Sequence, residues 1–270
     1  MIKTQTTHPF TEQLKINKSC INNLLCIGLD PDPQKMSRYY DQTIDGIFSF
    51  LMDVVESSLD QCICYKPNIS FFEALDISGL SMLKKLIKAI PKTHPVIIDA
   101  KRGDIGNTSK MQAQFLFDIL GADATTLHPY MGEDSIAPFL EYKDKFHFIL
   151  GLTSNPGALV FEKLKIEKEF LYDKVIYQCS IWNNTYHNVG VVAGATQDEL
   201  TQIRAIDPAL LFLIPGVGEQ GGVYSDIVDT GVNTDGLSVI NTSRSILYGS
   251  DEKITKAILT QRINRVTGHV

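Results

Sequence analysis

The chain has 270 residues, 44% of them hydrophobic and 21% charged, which suits one α/β barrel with a large buried core. Its net charge of −6 and scattered basic residues leave no basic stripe, which argues against a nucleic-acid role. The polar residues 1–18 carry no signal-peptide run, and nowhere do about 18 uncharged apolar residues stand together to span a membrane, so a soluble, cytoplasmic protein is expected.

In chain order, short apolar runs alternate with longer amphipathic stretches. Strands are predicted at 24–30 and 62–68, and between them Ile44, Ile47, Leu51, Val54 and Val55 recur at helical spacing. Cys62 and Cys64 lie two apart in the second run. With Cys20, Cys26 and Cys179 they make five, an odd number without CxxC spacing, and they read as buried, reduced thiols. A second helical pattern (Leu80, Leu83, Leu86, Ile87, Ile90) leads to a strand at 95–101, followed by strands at 124–128 and 146–153. The stretch 158–188 reads as an extra or extended helix with Trp182 as a packing aromatic. After a strand at 190–194, Thr196 and Glu199 form a capping-box signature, and strands at 210–215 and 236–241 complete the series. Eight short runs, most of them continuous and β-branched or aliphatic, alternate with helices and predict parallel strands covered on both faces, hence a single (β/α)8 TIM barrel. An open doubly wound sheet is the alternative. No linker or low-complexity segment divides the chain, so 1–270 is expected to form one domain.

Barrel enzymes gather their functional groups where strands end. Those positions hold Asp30, Lys66, Asp99, Lys101, Asp104, His128, Ser154, Gln220 and Arg244. The run Asp99-Ala100-Lys101-Arg102-Gly103-Asp104-Ile105 is the most informative, because three charges directly after Ile97 and Ile98 are hard to explain by packing. Residues 99 and 101 are two apart on a strand and should face the same side. Carboxylates around Lys101 favour its ammonium form, which suits a general acid and suits a Schiff-base lysine poorly. A structural ion-pair network at the barrel mouth is the competing explanation.

A second cluster, Pro215-Gly216-Val217-Gly218-Glu219-Gln220-Gly221-Gly222, follows strand seven, and Thr242-Ser243-Arg244-Ser245 follows strand eight. Barrels often grip phosphate at those two loops, with an Arg supplying a bidentate fork. Ser154, within Leu152-Thr153-Ser154-Asn155-Pro156-Gly157, reads either as a contact to a heterocycle edge or as part of a turn. His128 reads as a strand-end hydrogen-bonding residue. No His or carboxylate set has metal-like spacing, so no metal is expected.

Together with Gly28-Leu29-Asp30 and Tyr65-Lys66-Pro67-Asn68, these motifs resemble the orotidine 5′-monophosphate decarboxylase family over nearly the whole chain, and its longer bacterial, type 2 subgroup in particular. The resemblance implies a cofactor-independent carboxy-lyase of UMP biosynthesis that converts orotidine monophosphate to UMP. It implies a catalytic set of Lys66, Asp99, Lys101 and Asp104, with Lys101 protonating C6 and Asp99 lying against the substrate carboxylate. Asp30 and Lys66 would hold the ribose, Ser154 the pyrimidine edge and Gln220 both base and phosphate. Arg244, with Ser243 before it, would bind the phosphate; many shorter members have Gly at that preceding position. Asp104 and Thr108 would reach into a partner's site, which implies a homodimer with shared active sites. Two rivals are an Mg-dependent phosphosugar decarboxylase or synthase on the same barrel and a catalytically silent pyrimidine-nucleotide-binding barrel. The first would want an acid where Lys66 stands, and the second predicts losses in the charged run.

Overall fold

The computed structural model describes residues 8–194, 196–216 and 224–268. Eight strands form one parallel sheet: β1 (Leu25–Gly28), β2 (Cys64–Lys66), β3 (Ile97–Arg102), β4 (Ala124–Leu127), β5 (Phe146–Leu152), β6 (Val189–Ala193), β7 (Phe212–Pro215) and β8 (Val239–Thr242). The pairing order is β2-β1-β8-β7-β6-β5-β4-β3. Parallel bridges from Tyr65 to Val96 and from Asn68 to Asp99 join the two ends of that order, so the sheet closes and the open-sheet alternative fails. All eight expected strands are present, most of them trimmed at their ends, where the chain leaves the ladder for loops.

Strand residues are buried almost throughout, as parallel strands between a barrel interior and a helical jacket must be. The helix Ile44–Ser58 buries Ile47, Phe50, Leu51, Val54 and Val55 on one face, and the Thr43 side chain caps it by accepting from the Gly46 amide. Thr196 and Glu199 form the expected capping box at the helix Gln197–Ile206. All five thiols are free; Cys26, Cys62, Cys64 and Cys179 are buried as expected, but Cys20, near the end of the helix Pro9–Ile21, is exposed. Burial pushes the Cys62 thiol up to about 12. Among the described residues no helix is long and apolar enough to cross a membrane.

The segment 158–188 corrects the sequence reading. Only its second half is helical (Leu171–Tyr186), with Trp182 packed inside. Before it, a 3-10 turn (Pro156–Leu159) leads into a two-stranded antiparallel hairpin, Lys165–Ile166 against Glu169–Phe170, with Glu167 at φ 59 in the turn. The charged run Lys165, Glu167, Lys168, Glu169 offers no apolar face at helical spacing, so it has nothing to bury as a helix.

His147, on β5, is fully buried beside Phe117 and Phe139, and neither ring nitrogen has a hydrogen-bond partner among the described residues. Burial drives its pKa down to about 3, from an ordinary value of 6.5. The folded ring therefore stays neutral while the unfolded ring takes up a proton below pH 6.5, so stability falls as the pH drops from 6.5 towards 3. At pH 5 the loss is about 2 kcal/mol. Between pH 7 and pH 5 the Tm of the wild type should fall more steeply than that of His147→Phe; parallel curves would show that His147 does not carry this acid sensitivity.

Candidate active site

The ends of β2, β3 and β4 bring together a lysine–aspartate–lysine network. Lys66 is 5% exposed and its Nζ lies 3.2 Å from Asp99 Oδ2, while Lys101 Nζ donates to Asp99 Oδ1 at 2.7 Å. Burial opposes the charge on Lys66, but the nearby Asp99 and Asp30 carboxylates outweigh it and hold the ammonium above its ordinary pKa. Burial likewise opposes ionisation of Asp99, and Lys66, Lys101 and the Thr126 hydroxyl outweigh that, holding the carboxyl well below the usual range. The two lysines are not equivalent: the Lys66 side chain is 6% exposed and that of Lys101 48%. Lys66 is a buried fixed charge, and Lys101 is the ammonium that an incoming molecule can touch.

Asp99 and Lys101 do share a side, although the backbone between them is not regular strand. The β3–β4 ladder pairs Ile98 with Thr125 and then Arg102 with Leu127, leaving 99–101 opposite Thr126 alone. Within this bulge Lys101 adopts φ 47, a left-handed conformation that costs a non-glycine residue roughly 1–3 kcal/mol and is retained where the surroundings enforce it.

Beside this network, β1 and β8 frame a cavity of about 300 Å³ lined by Asp30, Ser243, Arg244, Tyr248 and Gly216 among others. Asp30 Oδ1 accepts from the Asn68 amide at 3.0 Å, which ties the end of β1 to that of β2. The Tyr248 hydroxyl donates to the Asp30 carbonyl and accepts from the Asp32 amide, both at 2.6 Å, tying the loop after β1 to the chain after β8. Gly28 is required for this closeness, since a Cβ there would lie 2.7 Å from Ser243 Cβ. Arg244 begins a short helix, Arg244–Leu247, anchored from behind by Arg262, whose guanidinium donates to the Ile246 and Leu247 carbonyls.

A family model described as Orotidine 5'-phosphate decarboxylase / HUMPS family matches residues 23–257. The chain belongs to this family. It is 43% identical over 250 residues to the orotidine 5'-phosphate decarboxylase of Christiangramia forsetii, covering 91% of this chain and 90% of that one. To the enzyme of the same name from Dehalococcoides mccartyi (strain BAV1) it is 44% identical over 245 residues, 88% of each chain. The solved structure of Leishmania donovani OMP decarboxylase superposes with a TM-score of 0.82 at 32% identity, covering 97% of this chain and 99% of that chain.

The structure of this family member does not bring every sequence-predicted residue to the network. Ser154 lines a second cavity of about 480 Å³, which shares Pro215 and Gly216 with the first. Gln220 lies outside the described residues. Asp104 turns its carboxylate onto its own loop, accepting from the Ile105 amide at 2.7 Å, and Thr108 is exposed; neither meets Lys101 within the chain. The His128 ring makes no hydrogen bond among the described residues; only its amide does, to the Arg102 carbonyl at 3.0 Å. No group of three or more His, Cys, Asp or Glu among the described residues is arranged to hold a metal. Sequence reasoning overlooked Asn68, Thr126, Tyr248 and Arg262. Asn68 stood in a quoted motif beside Lys66 and could have been flagged, whereas the other three carry no local signal.

Proposed function

We propose that the chain decarboxylates orotidine 5′-monophosphate to UMP and CO2, the last step of de novo UMP synthesis, as one barrel domain in a cytoplasmic homodimer. The observation that carries this reading is the exposed Lys101 ammonium bonded to a buried, ionised Asp99 whose other oxygen is held by Lys66. Asp99 presents fixed negative charge to the substrate carboxylate, and that repulsion is relieved when CO2 leaves. The C6–carboxyl bond breaks, its electron pair stays on C6, and Lys101 gives C6 a proton, later recovered from water. Because the ammonium stands ready where charge develops, it stabilises the transition state more than the ground state.

Asp30 and Lys66 would hold the ribose hydroxyls, Ser154 and Gln220 the base, and Arg244, Ser243 and Gln220 the phosphate end. Asp104 and Thr108 would complete the site of a second copy. That assignment accounts for the lack of a bond from either of them to Lys101 in their own chain. It also accounts for the apolar side chains left in solvent on the segments after β3 and β4: Ile105 is 67% exposed, Met111 47%, Tyr130 83% and Met131 41%.

No step needs a metal, and the β2 end, where the phosphosugar rival would want an acid, carries Lys66. The test is a UV assay of orotidine monophosphate with and without EDTA. Decarboxylation at the same rate in both is expected. Activity that EDTA abolishes and Mg²⁺ restores would favour the phosphosugar reading, and nucleotide binding without turnover would favour a silent barrel.

A further inference from the structure

Thr126 uses its whole hydrogen-bonding capacity on the bulge that carries Asp99 and Lys101. Its hydroxyl is 2.8 Å from Asp99 Oδ1, 3.1 Å from the Ala100 amide and 2.9 Å from the Lys101 amide. A hydroxyl has one proton and two lone pairs, and the two amides can only donate to it. Its proton therefore goes to Asp99, and the direction of all three bonds is determined. The residue is 2% exposed, so no water substitutes for it.

We propose that Thr126 is a positioning residue for the decarboxylation: it holds Lys101 in its left-handed conformation and fixes the orientation of Asp99 with the same hydroxyl. This rests on the reading of Lys101 as the proton donor. The physical need is specific to this place. Three residues, 99–101, stand opposite one on β4, so the ladder cannot supply their bonds, and the Thr126 side chain supplies those of residues 100 and 101. Without them the Lys101 backbone is free to leave the left-handed region, and the direction of its Cα–Cβ bond, which in this conformation brings the ammonium to 2.7 Å from Asp99, changes with it. The carboxylate would at the same time lose one of the bonds that orient it between two lysines. Valine has the shape of threonine and none of this bonding, whereas serine keeps it.

The experiment compares Thr126→Val, Thr126→Ser and Lys101→Ala in the full chain. Measured for each are kcat and KM, the melting temperature, and the affinities for UMP and for a UMP analogue bearing an oxyanion at C6. Thr126→Val is expected to lose roughly 30- to 300-fold in kcat with little change in KM, and Thr126→Ser to stay within about five-fold of wild type. Thr126→Val should weaken binding of the C6 oxyanion in step with kcat/KM and leave UMP binding unchanged, because only the oxyanion engages Lys101 through charge at C6. A role confined to packing would instead lower the melting temperature and weaken both ligands together, and that result overturns the inference. Wild-type kcat in Thr126→Val beside an inactive Lys101→Ala overturns the inference alone. An active Lys101→Ala overturns the proton-donor reading and this inference with it.

Discussion

Lys101→Ala and Asp104→Ala, each nearly inactive alone, are expected to regain about a quarter of wild-type activity when unfolded together and refolded as a mixture. Each single change removes a charged group from the reacting centre, and a loss of roughly 10⁴-fold or more is expected for Lys101→Ala, since protonation and electrostatic stabilisation disappear together. In its own chain the Asp104 carboxylate accepts from Ile105 and makes no bond to Lys101. A two-fold interface exchanges equivalent residues in both directions. In a heterodimer, the site that keeps Lys101 then receives a native Asp104 from the Lys101→Ala partner, and the other site lacks both. Random mixing makes about half of the dimers hetero, and one site in two of those is whole. If dimers form and no activity returns, Asp104 acts within its own subunit.

Arg244→Ala should raise KM for the nucleotide by roughly ten- to a thousand-fold and leave turnover of the nucleoside lacking phosphate almost unchanged. Arg244 lines the cavity that also holds Asp30 and Ser243, on a short helix that Arg262 braces from behind. Removing a charged hydrogen-bond donor from a phosphate costs about twice as much free energy as removing a neutral one. The selectivity of the defect is what identifies the ligand atom. Equal losses for nucleotide and nucleoside would show that Arg244 holds something other than phosphate.

The barrel was legible in the sequence because a parallel strand covered on both faces favours a continuous apolar run, and most of the eight short runs in the chain are of that kind. The candidate residues were legible for a related reason: charges such as Asp99 and Lys101 directly after Ile97 and Ile98 have no place in a core. The hairpin within 158–188 is not legible in the sequence, because Leu159, Val160, Phe161 and Leu164 just before it are apolar yet exposed at 69%, 63%, 61% and 51%, so composition there does not report burial.

The sequence by itself determined where the strands lie, which charged residues stand at their ends and which family the motifs resemble, because each of these depends on residues close in the chain. Only the tertiary structure decided which lysine is the buried charge and which the accessible one, since Lys66 and Lys101 differ in how neighbouring strands cover them. It also decided that Lys101 is left-handed and that Thr126 faces three residues, because a register shift belongs to a pair of strands and to neither alone. In sequence, Thr126 is one more β-branched residue in a strand; its hydroxyl acquires a role only when β3 bulges against it.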